Sequence, residues 1–471
     1  MPAPSSSEWS GITKFTNCRL ARGDKLEPAD LWFSSKTGTI LSSQSTFFSA
    51  GALPDRVIDL QGRIVSPGMI DVQLNGAYGF NFSSLPESMM QYAKTLRDIN
   101  KRLVETGVTS YTPTLTSQKS ELYHKVTGIP RDRTHLLSVM ADASNQVLPI
   151  LRSKKSVSAQ DGSESLGVHC EGPFLNPTKN GIHDVNVLIE ANGFDDIEAC
   201  YGTENLGAPG IKSGSNTSAV KMVTIAPEQG NMSDLIPQMR ERGIICSVGH
   251  SEATYEEASK AVAQGATMIT HLFNAMRPLH HRNPGIFGVL GTADAANRPY
   301  FGIIADGVHL HPTAIKIAFN AHPEGFILIT DSMPLVGLPD GRYPWMNGEV
   351  QSTIIKKGPT LRLEGTDKIA GSCITLMECV NNFLEWSISS IPQALKAVTA
   401  TPAAMLEIED RKGSLNPGAD ADLVVFSETK APNGAPQLVI DEVWKFGILV
   451  YERDGANIPE PTSPLSPKGR W

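Results

Sequence analysis

The chain has 471 residues, 40% hydrophobic and 19% charged, ordinary values for a globular protein with room for one large barrel or several domains. A net charge of −8 argues against nucleic acid or an anionic membrane as partner, while leaving an anionic small substrate possible wherever basic residues gather. The six cysteines show no CxxC and no small-domain spacing, so they are expected to be buried free thiols in a reducing compartment. The opening MPAPSSSEWSG lacks a basic start followed by an apolar core, and no apolar run is long enough to span a bilayer. The expected location is the cytoplasm.

Residues 12–66 read as short strands (ITKFTNCRL, DLWFSS, GTIL, RVIDL, RIVSP) separated by Gly, Pro and Asp. The apolar run Met69-Ile70-Asp71-Val72 then reads as a buried strand. Residues 86–106 carry Met89, Tyr92, Leu96, Ile99 and Leu103 at three–four spacing, which predicts an amphipathic helix ending at Gly107. VTSYTPTL follows as a strand. IICSV (244–248), EATYEEASKAVAQ (252–264) and ATMIT (266–270) form a strand–helix–strand unit, and FGIIA (301–305), PTAIKIAF (312–319) and FILIT (326–330) repeat it. This alternation predicts an α/β fold with a (β/α)8 barrel. Two polar stretches, 153–165 and 202–218, read as surface insertions.

Strand-like character returns in GSLNPGADADLVVF (413–426), PQLVIDEVWKF (436–446) and GILVYER (447–453). β-Segments at both ends predict one small β-sandwich domain from residues 1–66 and 405–457, with the barrel over 67–404. The Pro- and Ser-rich end, 458–471, reads as a disordered tail.

In such a barrel the chemistry lies at the C-terminal strand ends. After LGVH (166–169) come Cys170 and Glu171; after IICSV, Gly249 and His250; after ATMIT, His271; after FGIIA, Asp306 and His309; after FILIT, Asp331. Glu171, His250 and His271 make a three-ligand O/N/N set that leaves a position open on a catalytic zinc. Asp331 is a candidate to take a proton from water and hand it to a leaving amine, the requirement of amide hydrolysis. At the end of the first strand stand two amides, Gln73 and Asn75, which are poor zinc ligands beside imidazole or carboxylate.

The segments PGMIDVQLNG, GVHCEGPFLNPTKNGIHD, SVGHSEATYEEA, THLFNAMRPLHHRNPGIFG, ADGVHLHP and LITDSMPLVG resemble the N-acetylglucosamine-6-phosphate deacetylases of the amidohydrolase superfamily. The resemblance spans about residues 12–455, and the length and insertions look more like a fungal member than a bacterial one. It implies a barrel with a β-sandwich, a homodimer, and hydrolysis of N-acetylglucosamine 6-phosphate to glucosamine 6-phosphate and acetate in amino-sugar catabolism or recycling. It further implies that Glu171, His250 and His271 hold the metal and Asp331 is the general base and acid. His183 and His309 would approach the sugar. Asn274, the backbone of Ala275 and Arg282 would contact the phosphate, with help from His281, and the HHRNPG loop would reach a neighbouring subunit's site. Arg277 either adds positive potential or is solvated. Some relatives carry His-x-His on the first strand and bind two metals, others Gln-x-Asn and one. Gln73 and Asn75 fit the second kind, so one divalent ion per chain, zinc, is expected. Two readings compete: another amidohydrolase acting on a different acyl amine, and a non-catalytic barrel scaffold.

Overall fold

The computed structural model describes residues 11–49, 51–84, 88–124, 158–210, 218–294, 297–347, 350–386 and 388–454. Eight parallel strands follow one another around the barrel: β1 (Met69–Leu74), β2 (Val108–Thr116), β3 (Val168–Glu171), β4 (Val220–Ile225), β5 (Ile245–Val248), β6 (Met268–Ile269), β7 (Tyr300–Ile304) and β8 (Phe326–Ile329). The ring closes where Asp331 N, just past β8, donates to Gln73 O of β1 at 2.9 Å, beside a parallel bridge between Leu74 and Ser332. Register brings the ends level: Thr116 pairs with Glu171, Glu171 with Thr224, and Val248 with Ile269.

Ile70, Val72, Met222, Ile245, Met268, Ile304, Ile327 and Ile329 fill the lower interior, plugged by Met405 and Leu406 from the helix Ala400–Met405 and its end. Around the outside run helices including Met89–Leu103, Met232–Glu241, Tyr255–Ala263, Pro312–Ala321 and Leu376–Glu385. The predicted helix over 86–106 is Met89–Leu103 extended by a tighter turn, Val104–Thr106, and Gly107 ends it at φ 81°. Thr254 and Glu257 form a reciprocal cap at the start of Tyr255–Ala263, which is why that helix begins three residues inside the predicted span.

The terminal strands make two packed sheets. Ile64–Pro67 pairs antiparallel with Leu423–Lys430, so the two ends of the chain share one six-stranded sheet. Phe15, Phe33 and Trp444 meet edge to face between that sheet and a four-stranded one, with centroids 4.9–5.4 Å apart. All six cysteines are buried and free, as expected.

Three findings depart from the sequence reading. The stretch after β8 holds a separate four-stranded antiparallel sheet, Gly341–Asn347, Val350–Lys357, Thr360–Leu363 and Ile369–Ser372, with its own small core of Trp345, Ile354, Leu361 and Met333. The stretch 153–165, read as a surface insertion, ends in the interior: Glu164 is 3% exposed and contacts Lys445 (3.1 Å) and Lys412. A carboxylate so placed survives burial because two ammonium groups surround it. The described part of 202–218 likewise buries Asn205 and Leu206. The expected tail lies outside the described residues. Among the described residues, no helix is long and apolar enough to cross a membrane.

Candidate active site

Three site residues leave their strands in the left-handed region: His250 at φ 48°, His271 at 26° and Asp331 at 47°. Such conformations cost energy for residues with a Cβ and persist where surrounding contacts over-determine them. Here the turn follows the strand end directly. Gly249 allows it, since a Cβ there would lie 2.7 Å from Thr270 Cβ on the neighbouring strand end.

Glu171 Oε1 is the hub. His271 Nε2 lies 3.1 Å away, His250 Nε2 3.4 Å, and the two Nε2 atoms are 3.0 Å apart. All three side chains are buried. Ligand atoms held about 2.0–2.1 Å from a tetrahedral ion sit about 3.3 Å from one another, so this donor set fits one divalent metal. His250 Nδ1 donates to Lys179 O at 2.7 Å, which leaves its Nε2 lone pair facing the hub. The Nδ1 of His271 is buried with no partner among the described residues.

Glu171, His183 and His250 also offer ligand atoms within 4.8 Å of one another. The tautomers separate the two trios. His183 Nδ1 accepts from Ser117 N at 3.1 Å, so the neutral ring carries its proton on Nε2, which points a donor towards Glu171 Oε2 at 3.6 Å. This favours His271 as the third ligand and leaves His183 as a donor at the edge of the site.

The two amides bind carboxylates. Gln73 Nε2 donates to Glu171 Oε1 (2.8 Å) and Asp331 Oδ1 (3.1 Å), and Asn75 Nδ2 donates to the same Asp331 Oδ1 at 2.7 Å. Their flips are not arbitrary, because the reverse orientation would set carbonyl against carboxylate. Asp331 Oδ2 accepts none of these bonds and stays open to the site.

Electrostatics follow from crowding. Burial raises Asp331 and repulsion from Glu171 adds to it, lifting the carboxyl to about 6. Burial would raise Glu171 too, but in the metal-free protein the surrounding imidazoles of His183, His250 and His271, when protonated, outweigh it and hold the group well below the usual carboxylate range. Burial holds His183 below its ordinary value, whereas in His271 the bond to Glu171 outweighs burial and raises it.

The remaining expected residues fall at graded distance. His309 Nδ1 donates to Asp306 Oδ2 at 2.6 Å. Asn274 and Ala275 lie in the turn after His271, with Asn274 N donating to His271 O at 3.0 Å and Ala275 O accepting from Ser251 N at 3.1 Å. Arg282 and His281 are exposed and touch each other at 3.1 Å; among the described residues neither is hydrogen-bonded to the Glu171 group. Arg277 is half-buried and paired with Glu252 at 3.2 Å, as is Lys179 at 2.8 Å.

Sequence reasoning missed Ser117 behind His183 and the carbonyl of Lys179 behind His250, and it placed Asp306 at its strand end without the role of bracing His309. Asp306 alone carried a signal, three residues before His309 at a strand end. Beneath the site lies a polar layer that also went unread: His169, forced down to about 4 by burial, bonds Thr224 (2.7 Å), which bonds Thr270 (2.7 Å).

Comparison with known proteins agrees with this geometry. The model of the Amidohydrolase family matches residues 64–450. N-acetylglucosamine-6-phosphate deacetylase of Danio rerio is 38% identical over 434 residues, covering 91% of this chain and 96% of that protein. The chain belongs to the amidohydrolase family, among its N-acetylglucosamine-6-phosphate deacetylases. The Bacillus subtilis family member is 34% identical over 77% of this chain and 81% of its own length. The solved N-acetyl-D-glucosamine-6-phosphate deacetylase of Mycobacterium smegmatis is 25% identical, with a TM-score of 0.69, covering 93% of this chain and 100% of that one. The metal dependence of the amidohydrolase family accords with the Glu171 cluster.

Proposed function

We propose that this chain hydrolyses the acetamide of N-acetyl-D-glucosamine 6-phosphate to acetate and D-glucosamine 6-phosphate, with Glu171, His250 and His271 holding one divalent ion and Asp331 moving the proton. The observation that carries the reading is the convergence of that O/N/N set with a carboxylate whose Oδ2 is left open. The relatives named above supply the substrate. A divalent ion held by Glu171, His250 and His271, zinc by the chemistry of these donors, would supply Lewis acidity for the hydrolysis.

The chain's own groups do the rest. Gln73 and Asn75 fix Asp331 by its Oδ1, so Oδ2 is presented in one orientation to take a proton and return it to the departing amine nitrogen. Gln73 Nε2 sits between Glu171 and Asp331 and donates to both, and an amide N–H there is no metal ligand, which supports one ion per chain. His183 Nε2–H offers a donor to the sugar from the loop after β3, and His309, whose Nδ1 donates to Asp306, offers its Nε2 as an acceptor for a sugar hydroxyl from beyond β7. Asn274, Ala275, His281 and Arg282 receive the phosphate. Arg282 is exposed in the single chain, in keeping with a dimer in which its loop completes a neighbouring site. Six buried thiols suit the reducing cytoplasm.

The test is acetate release from N-acetylglucosamine 6-phosphate beside the unphosphorylated sugar. Release from the phosphorylated sugar alone is expected. Release from neither, with metal present, refutes the substrate, and equal release from both refutes the phosphate site.

A further inference from the structure

His250 is held in place by a group that touches neither metal position nor substrate side. Glu228, three residues past β4, accepts three hydrogen bonds from two different loops. Its Oε1 takes Asn176 Nδ2 at 2.9 Å, from the loop after β3, and the backbone N of Glu252 at 2.7 Å, from the loop after β5. Its Oε2 takes the Ser251 hydroxyl at 2.6 Å. The same two loops meet again around His250: Asn176 N donates to His250 O at 2.9 Å, and His250 Nδ1 donates to Lys179 O at 2.7 Å. Lys179 N in turn donates to Asn176 O at 2.9 Å.

We infer that Glu228 is a positioning residue for the metal site: one carboxylate that clamps the β3 and β5 loops together and thereby holds His250 in its left-handed turn with Nε2 aimed at Glu171. The inference rests on the reading of Glu171, His250 and His271 as metal ligands. Its physical basis is that a non-glycine residue at φ 48° relaxes to an ordinary conformation unless its neighbours forbid it. Ser251 and Glu252 are the two residues after it, and both are tied to Glu228. Asn176, which fixes its carbonyl, is tied there too. Releasing the clamp frees the backbone on one side of the ring and the Lys179 acceptor on the other. The Nε2 then loses its aim before any strand is disturbed.

A cleft of about 200 Å³ lined by Glu228, Asn231, Ser233, Asp234, Glu257 and Lys260 opens on the outer side, so water can reach the place of a truncated side chain and keep the fold intact. Losses of groups that orient metal ligands lower metal affinity about 10–100-fold. For Glu228→Ala the lower end, about tenfold, is expected.

The experiment loads wild type, Glu228→Ala, Glu228→Gln and Ser251→Ala with Zn²⁺ and follows its release to a chromophoric chelator, with thermal melting of the metal-free forms beside it. Glu228→Gln retains the geometry: its carbonyl accepts both N–H groups, and its amide donates to Ser251 Oγ, whose own proton turns away. The expected order is wild type and Glu228→Gln slow, Ser251→Ala a few-fold faster, and Glu228→Ala about tenfold faster with a cooperative melt. A folded Glu228→Ala that releases zinc at the wild-type rate overturns the inference, as does Glu228→Gln releasing as fast as Glu228→Ala. Should Glu228→Ala fail to fold, an unchanged rate in Ser251→Ala overturns it instead. Wild type that binds no zinc refutes the underlying ligand reading, a result distinct from the others.

Discussion

Asp331→Asn separates proton transfer from every other property of the site. Asp331 Oδ1 accepts from Asn75 at 2.7 Å and Gln73 at 3.1 Å, so the asparagine must turn its carbonyl towards those two amides. Its NH₂ then occupies the place of Oδ2 and offers a proton where one must be accepted. Turnover should fall about 10²–10⁴-fold, the usual contribution of a general acid–base group. Metal content should stay at one equivalent, because Glu171, His250 and His271 are untouched. The metal-free protein should become more stable. Burial and repulsion from Glu171 raise the Asp331 carboxyl from 3.8 to about 6, and at about 1.4 kcal/mol per pKa unit the ionised form carries about 3 kcal/mol of strain. Partial exposure of the side chain discounts this to about 1–2 kcal/mol. The sign follows from linkage: the protonated group favours the folded state below about pH 4, and that contribution is lost as pH rises through about 6. The gain in Asp331→Asn should therefore be absent below about pH 4, grow to about pH 6, and stay constant above it. Acetate release, elemental analysis and urea unfolding of chelator-treated protein across this range read all three quantities. Near-normal turnover, or a mutant less stable than wild type at pH 7.5, would refute the reasoning.

The one-ion arrangement predicts a single equivalent of metal in protein purified without added ions; two equivalents would show that Gln73 does not exclude the second. Gln73→Leu removes the donor to both carboxylates, and loss of hydrogen bonds to charged groups at about 1.5–3 kcal/mol each should cost at least tenfold in turnover; kinetics unchanged from wild type would contradict it. Arg282→Ala should raise KM for the phosphorylated sugar about tenfold or more while metal content is unchanged, and a wild-type KM removes Arg282 from the phosphate role. Lys445→Met strips one ammonium from the buried Glu164, Asp422 and Lys412 network and should cost about 3–5 kcal/mol in urea unfolding. In the same network Asp422, although burial opposes it, is held down to about 2 by Lys412 and Lys445, so its stabilisation is present above about pH 4 and is lost as pH falls towards 2; a protein whose stability is flat from pH 5 to 2 would exclude that pairing.

Much of the site was legible because its signals are local. Each candidate sits at or just past the end of a short apolar strand, and chemical type plus position is enough to nominate Glu171, His250, His271 and Asp331. Period and punctuation likewise marked the helix that ends at Gly107 and the strands contributed by both chain ends. The four-stranded sheet over 341–372 went unread although STIIKKG and TLRLEG carry alternation, because the barrel pattern was carried through to residue 404. Glu164 was misplaced for a different reason. Polar neighbours mark a surface loop in sequence, whereas Lys412 and Lys445, which make its burial tolerable, lie more than 240 residues further along.

The sequence by itself determined which chemical groups stand at the strand ends, including the two amides Gln73 and Asn75 at the end of the first. Only the tertiary structure decided what each group does. Ser117 N on His183 Nδ1 makes that imidazole a donor at Nε2, and Lys179 O on His250 Nδ1 makes the other an acceptor at Nε2, facing Glu171. Identical side chains thus take opposite roles. A tautomer is chosen by the partner across the fold, and that partner is fixed by barrel register and loop contact rather than by any neighbour in the chain.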